Sequence, residues 1–417
     1  MENWHVTGGQ RLEGSCFVQG SKNASLPVIA ASMISPYKSE LSNVPRLRDV
    51  DAAVRILEHL GCRAKQEGSR LLIDPSGICR SQIPHSLMVE MRSSVIFMGA
   101  LIARCGEARL SLPGGCQLGK RPIDLHLAGL RKLGAEIEED GLEIVCHARE
   151  LKGTDIVLPF PSVGATENIM LAATRAKGET VIHGAAREPE IETLGEYLRA
   201  LGAEIDGAGT DTIHICGYHP KDRVRFRMIP DRIVAATIAC AAAATGGSVE
   251  MRAVDPGHFS TVLHFLKLSG CDIMHTDHCL RLTAPEKLKA VGPVSTQPYP
   301  GFPTDAQPVL MAALLRAKGM SLIQENIFEA RYRQVTELCK LGADINLDGR
   351  IARIQGVEQL HGAYLTATDL RGGAAMILAG LCAEGETVIS DIGHVSRGYE
   401  RFDQVLKALG ADIFLES

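Results

Sequence analysis

One of the twelve cysteines stands apart by its neighbours. Cys116 lies within Leu112-Pro113-Gly114-Gly115-Cys116-Gln117-Leu118-Gly119-Lys120-Arg121-Pro122, where three glycines and two prolines in eleven residues specify an irregular, accessible loop. Lys120 and Arg121 lie close by, and nearby cations raise the thiolate fraction of a thiol. An idle surface thiol is the ordinary alternative, and it is weaker for a cysteine set between glycines and cations. The other cysteines show no CxxC and no zinc-type Cys/His spacing. Most of them read as small buried hydrophobes in a reducing compartment.

A second set of polar residues opens six strongly apolar segments. They are Ser21-Lys22-Asn23, Arg92-Ser93-Ser94, Ser162-Val163-Gly164-Ala165-Thr166, Asp231-Arg232, Thr304-Asp305 and Asp369-Leu370-Arg371. Helix N-termini present unpaired N–H groups and a partial positive charge. Capping accounts for Ser162, Thr304 and Asp231. It does not account for Lys22, Arg92 or Arg371, which the helix dipole disfavours. A bound phosphate or carboxylate would reverse that penalty, so these cations point to an anionic ligand in a cleft. Two further arginines, Arg331 after ENIFEA and Arg397 in HVSRGYER, are each either an exposed charge or another cation of that cleft.

These residues need a frame, and a repeat supplies one. The tag LGAEI recurs at Leu133 and Leu201, LGADI at Leu341 and Leu409, with degenerate copies LGCRA at Leu60 and LSGCDI at Leu268. The tag glycines Gly61, Gly134, Gly202, Gly270, Gly342 and Gly410 are 73, 68, 68, 72 and 68 residues apart, so the chain is six units of one design. Each unit has a helix apolar all round, such as NASLPVIAASMI or AAMILAGLCA, then a short alternating strand such as TVIHG. An amphipathic helix follows, as in ETLGEYLRALG, capped by the tag glycine, and one or two strands close the unit. An all-apolar helix must be buried on every side. Six such helices do not fit one core, which predicts two similar domains of three units with a midpoint near Ile229-Pro230-Asp231. The stretch RLEGSCFVQG, ahead of the first buried helix, is expected to pair with the last units and bring the termini together.

Composition narrows the function classes. With 45% apolar and 22% charged residues, the 417-residue chain is an ordinary globular one, and 4% aromatics leave its core to Ala, Ile, Leu and Val. A net charge of −5 without a basic stripe argues against nucleic acid. IVAATIACAAAA is too short to cross a bilayer, and the start MENWHVTGGQ lacks the apolar stretch of a signal peptide, so a cytoplasmic protein without membrane insertion is expected. GxxxxGK[ST], GxGxxG after a strand, HExxH and GxSxG are absent, so no cofactor or metal is expected.

SKNASLPVIAAS, SLPGGCQLGKRPIDLHLAGLRKLGAEI, PSVGATENIMLAA, AAREPEI, GFPTDAQ and HVSRGYERF together resemble the UDP-N-acetylglucosamine 1-carboxyvinyltransferase family, from Gly8 to the end. The resemblance implies an α/β fold, the inside-out α/β barrel, with two similar domains each of three repeated βαβαββ units around buried parallel helices. It implies a first domain of residues 1–20 plus 230–417, carrying Asp305, Arg331, Arg371 and Arg397, and a second of 21–229, carrying Lys22, Arg92 and the Cys116 loop. The implied reaction moves the enolpyruvyl group of phosphoenolpyruvate to the 3′-hydroxyl of UDP-N-acetylglucosamine and releases phosphate. In that pattern Cys116 donates the proton, can form a covalent adduct and is the thiol that fosfomycin alkylates. Lys22, Arg121 and Arg397 hold phosphoenolpyruvate, with Asn23 beside them, and Asp305 is a general base. The nucleotide sugar is expected at Arg92, Arg121, Pro122, Ile123, Asp124, Leu125, Ser162, Val163, Gly164, Asp305 and Ile327, with Arg331 and Arg371 lining the cleft. Addition to the enol needs an acid and a base on opposite sides, which Cys116 and Asp305 would supply. Two features depart from the pattern: Phe160 stands where some members have lysine, and Ser396 where aspartate is expected. A shikimate-pathway enolpyruvyl transferase is the nearest rival, opposed by the loop cysteine. A silent nucleotide-sugar-binding paralogue is the rival of another class, opposed by the joint presence of Lys22, Cys116, Asp305 and Arg397.

Overall fold

The computed structural model describes residues 3–91, 93–111 and 123–416. Contacts divide the chain into two compact units, Met1–Gln19 with Pro230–Ser417 and Gly20–Ile229, so Gly20 goes with the continuous unit rather than with the N-terminal stretch. Among the described residues each unit holds three four-stranded sheets and one continuous apolar core.

In Gly20–Ile229 the core helices are Lys22–Ala31, Phe97–Cys105 and Val163–Ala173. In the other unit they are Arg232–Ala244, Gln307–Ala313 and Leu370–Leu381. Alanine and leucine favour helix intrinsically, so these segments need no polar face to form. The Arg232–Ala244 helix is buried along its length except at Ala244, which leaves the sheets and the amphipathic helices to face water.

The amphipathic helices end where the tag glycines stand. Gly61 and Gly202 cap the Arg48–Leu60 and Pro189–Leu201 helices at φ 108° and 111°. A side chain would clash there, and Gly202 also has the His219 carbonyl 1.8 Å from where a Cβ would sit. The glycine is therefore required twice, for its dihedral and for the close backbone.

One sheet design recurs: a parallel edge pair followed by two antiparallel partners, as in Val224–Arg227, Ser39–Ser42, Arg70–Asp74 and Arg63–Glu67. The termini meet in one copy, where Asn3–Thr7 lies antiparallel between Glu386–Ser390 and Asp412–Glu416, with Asn3 opposite Glu416. The strand expected to do this, within RLEGSCFVQG, does something else. Glu13–Phe17 runs parallel to Ser248–Arg252 as the edge of the fourth repeat's sheet. The preceding segment, Asn3–Thr7, takes the place in the last sheet instead.

Candidate active site

Lys22 is the first residue of the Lys22–Ala31 helix, which Ser21 caps by accepting the Ala24 N–H at 3.2 Å. Its amine is buried and lies 3.2 Å from Asp49 Oδ2, itself buried in the first turn of the Arg48–Leu60 helix. A cation at a helix start is thus countered by a carboxylate of the protein, where the sequence alone pointed to a bound anion. Pro27, inside the same helix, withholds the N–H that would close onto the Asn23 carbonyl. Asn23 is half-buried beside Lys22.

In the same unit, Ser162 caps the Val163–Ala173 helix through the Ala165 N–H. Its own N–H bonds the Phe160 carbonyl. The Ser162 and Ala165 amides are therefore spent within the protein, whereas no such bond is seen for the Val163 and Gly164 amides among the described residues. Gly164 has a second constraint, because a Cβ there would lie 2.9 Å from His126 Cε1. Asn168 fixes that imidazole. Its Oδ1 accepts the Gly99 N–H at 2.7 Å, and its Nδ2 donates to the Val95 carbonyl and to His126 Nδ1 at 2.7 Å. His126 Nδ1 is therefore an acceptor, and the neutral ring carries its proton on Nε2. Ile123 and Leu125 pack on the core at the start of the Asp124–Lys132 helix, and Asp124 is exposed in its first turn. Phe160 is exposed.

In the discontinuous unit Asp305 is the centre. It lies in the turn Thr304–Ala306 that leads into the Gln307–Ala313 helix. Arg331 Nη2 donates to its Oδ1 at 2.8 Å, and Arg371 donates to its Oδ2 from Nε at 3.2 Å and Nη2 at 2.9 Å. Both guanidiniums are buried while the carboxylate keeps 30% of its surface. Arg331 is therefore an interior ion-pair partner, not an exposed charge, and it also grips the Thr304 carbonyl at 3.1 and 3.0 Å. Burial opposes the charge of Arg371, but Asp305, with Tyr399 and Asp231 behind it, outweighs burial and holds the guanidinium above its ordinary pKa. Its Nη1 is buried and finds no hydrogen-bond partner among the described residues.

Thr304 is not a cap. Pro303 holds that place, and the threonine hydroxyl donates to Glu325 Oε2 at 3.0 Å. Glu325, fully buried, accepts the Ile327 and Phe328 N–H groups on its other oxygen. It thereby ties the Asp305 turn to the segment that carries Ile327 and Arg331. Asp231 and Asp369 cap their helices through two amides each.

Arg397, half-buried, ends the turn Ile392–Arg397. Ser396 does not reach toward it, since its hydroxyl donates to the Gly393 carbonyl. Gln19 braces the backbone just beyond, donating to the Gly398 carbonyl and accepting the Glu400 N–H. Asp49, Glu325, Tyr399, Gln19 and His126 escaped the sequence reading. All but Asp49 stood inside segments already singled out, His126 in DLH, Glu325 in ENIFEAR, Tyr399 in HVSRGYERF and Gln19 in RLEGSCFVQG, but none was given a role there. Arg92, Cys116, Arg121 and Pro122 lie outside the described residues.

The eleven described cysteines are unpaired, and five are buried, fewer than expected, with Cys79, Cys105, Cys216 and Cys339 exposed. Burial pushes Cys16 and Cys271 up to about 11 and Cys62, Cys146 and Cys382 up to about 12, so these are structural thiols. Among the described residues no cluster of His, Cys, Asp or Glu could hold a metal ion, and no helix is long and apolar enough to cross a membrane.

The chain matches the family model of EPSP synthase (3-phosphoshikimate 1-carboxyvinyltransferase) over residues 6–406. It is 47% identical over 413 residues to UDP-N-acetylglucosamine 1-carboxyvinyltransferase 2 of Caldanaerobacter subterraneus subsp. tengcongensis, and 45% identical over 413 residues to the enzyme of that name from Geotalea uraniireducens. Each alignment covers 99% of both chains. Among solved structures, the enolpyruvyl transferase NikO from Streptomyces tendae superposes with a TM-score of 0.89 at 25% identity, over 99% of this chain and 98% of that one. An EPSP synthase from Acinetobacter baumannii shares the fold at a TM-score of 0.78 and 20% identity over the full length of both. The inside-out α/β barrel with its three-fold repeat in each unit is thus the fold of this chain, which belongs to the EPSP synthase family and, within it, to the UDP-N-acetylglucosamine 1-carboxyvinyltransferases.

Proposed function

We propose that the protein transfers the enolpyruvyl group of phosphoenolpyruvate to the 3′-hydroxyl of UDP-N-acetylglucosamine and releases phosphate. The observation that carries this is full-length identity of 44–47% to several proteins of that name. In this reading Asp305 takes the proton of the sugar hydroxyl. A carboxylate held by two guanidiniums yet part-exposed suits that role, because the clamps orient it and keep one face open. Lys22 binds phosphoenolpyruvate with Asn23, Arg121 and Arg397, as a charge already stripped of most of its water. The Val163 and Gly164 amides at a helix start, with Ser162, Arg92, Arg121, Pro122, Ile123, Asp124, Leu125 and Ile327, bind the nucleotide sugar. Arg331 and Arg371 orient Asp305.

Cys116 is the proton donor to the enol carbon, and Fosfomycin would alkylate it. The reaction takes place in the cytoplasm, and its product enters peptidoglycan precursor synthesis and through it serves cell-wall growth and division.

The test is phosphate release from phosphoenolpyruvate with UDP-N-acetylglucosamine, beside shikimate 3-phosphate. Release with the nucleotide sugar alone, abolished in Cys116→Ala with an unchanged melting temperature, is expected. Release only with shikimate 3-phosphate would overturn the acceptor, and release with neither would favour a silent nucleotide-sugar binder.

A further inference from the structure

Beneath the Asp305 clamp lies a buried phenol to which the proposed reaction assigns no part. Tyr399 is almost fully buried, and the Arg371 guanidinium lies over its ring, with Cζ 5.5 Å from the centroid. Its hydroxyl is 3.0 Å from Thr237 Oγ1 in the middle of the Arg232–Ala244 helix. The direction of that bond follows from its neighbour. Thr237 donates its single hydroxyl hydrogen to the Ile233 carbonyl at 2.8 Å, so the phenol is the donor to Thr237. Burial raises the pKa of the phenol against the opposing pull of Arg371 and Thr237, which keeps that hydrogen in place at neutral pH. The ring and the lone pairs of the phenol oxygen are thereby left for the cation.

The backbone around Tyr399 is held from both sides. Gln19 grips Gly398 and Glu400, and the Tyr399 N–H bonds the Val395 carbonyl. A side chain on Gly398 would meet Leu370 at 2.8 Å, so this turn packs directly on the residue before Arg371. The Phe402 ring centroid lies 4.7 Å from that of Tyr399 and 6.4 Å from that of Trp4, a tilted aromatic cluster against which the phenol packs.

We infer that Tyr399 is a positioning residue of the reaction: braced by Thr237 and Gln19, it fixes the plane of Arg371 and, through the two bonds from that guanidinium, the orientation of Asp305. A guanidinium has no shape-independent grip. It holds a carboxylate through a planar fork, and rotation of that plane breaks two bonds at once. The inference rests on the proposed role of Asp305.

The ionisable groups acting on the Arg371 guanidinium are Asp305 from the turn before Gln307–Ala313, Tyr399, and Asp231 from the cap of Arg232–Ala244, while Asp369, the cap of its own helix, accepts the Arg371 backbone N–H. Arg331 faces Asp305 from its other side. When Arg371 loosens, Asp305 loses part of its counter-charge and takes up a proton more readily, so the acid limb of the rate profile moves to higher pH.

The experiment compares wild type, Tyr399→Phe, Thr237→Val and the double variant by steady-state phosphate release across pH, with melting temperatures. The expected result is a fall in kcat of about tenfold for Tyr399→Phe, with KM for both substrates within about twofold, and an acid limb shifted upward. Thr237→Val should give a similar fall, and the double variant no more than the larger single effect, because both break one chain of bonds. Wild-type kcat and acid limb in Tyr399→Phe would overturn the inference. So would a loss of rate that follows melting temperature with the limb unmoved, or additive effects in the double variant. Absence of release by wild type with UDP-N-acetylglucosamine would instead overturn the underlying reaction, and the inference with it.

Discussion

Near the start of a core helix each unit has an ion pair with buried partners, and the two are of opposite polarity. In Gly20–Ile229 it is a cation held by one carboxylate, Lys22 on Asp49. In the other unit it is a carboxylate held by two cations, Asp305 between Arg331 and Arg371. The two differ in what they can do when a partner leaves. A buried lysine can shed its proton and become neutral, whereas arginine stays charged at any accessible pH. The lysine end is thus adjustable, and the aspartate end is locked to its two guanidiniums.

The largest break in this contrast comes from Asp305→Ala. It leaves two guanidiniums, each with under 5% of its side chain exposed, without their shared counter-charge. Breaking a buried pair costs about 3 kcal/mol, and loss of a general base costs about 10²–10⁴-fold in rate. A clear drop in melting temperature together with near-complete loss of phosphate release is expected. A variant of wild-type stability would show that the arginines have other support.

Asp49→Ala should be milder for the reason just given. Without Asp49 the Lys22 amine can neutralise itself, so the stability loss should be about 1–2 kcal/mol, below that of Asp305→Ala. The activity should acquire a new dependence on pH. Removal of the counter-charge lowers the pKa of the amine, so activity that needs the charged form is present at low pH and falls as pH rises through that lowered value. A rate profile unchanged on its alkaline side would mean that Lys22 keeps its charge by other means.

How far this contrast could be read in the sequence depends on distance along the chain. The helix ends were legible because the cause is local: at Gly61 and Gly202 the dihedral itself requires glycine. The buried helices were legible too, since a segment apolar on every side has one place to go. Lys22, Asp305 and Arg371 stood out as charges at helix starts. Their partners did not, because Asp49 is 27 residues from Lys22 and Arg371 is 66 from Asp305, and nothing in either stretch announces the meeting. Thr304 misled because a threonine ahead of a helix reads as a cap, while Glu325 takes its hydroxyl from a strand end far along the chain. The strand within RLEGSCFVQG misled similarly, since alternation marks a strand without naming its neighbour. Tyr399 was quoted only as part of a motif, and its place under Arg371 is a product of packing.

Glu325→Ala sharpens the contrast by testing whether the locked end needs its floor. The change strands the Ile327 and Phe328 N–H groups and the Thr304 hydroxyl, at a cost of about 2 kcal/mol. The expected signs are a lower melting temperature and a several-fold loss of kcat through displacement of Arg331. Lys22 lies in the other unit, so a changed affinity for phosphoenolpyruvate alone would contradict this assignment.

The smallest expected effect concerns an exposed counterpart of these pairs, and it tests whether the burial of their partners is what makes the two ends strong. His5 Nδ1 lies 3.0 Å from Glu386 and Nε2 2.9 Å from Glu416, with the ring stacked on Phe414 at 4.6 Å. The clasp joins the N-terminal strand to both of its neighbours, but its glutamates keep 50% and 60% of their surface in water. Bonds to Glu416 first and Glu386 second raise the His5 pKa above 6.5. A raised folded-state value means that the protonated clasp stabilises the fold fully below the unfolded value, and that the contribution is lost as pH rises through the folded one. Stability should therefore fall slightly from pH 6 toward pH 8, and His5→Gln should flatten that slope while leaving turnover untouched. Because the pair is exposed, added salt should shrink the effect, whereas the Asp305 and Asp49 variants should respond little to salt. Equal salt sensitivity in all three would remove burial as the source of the difference.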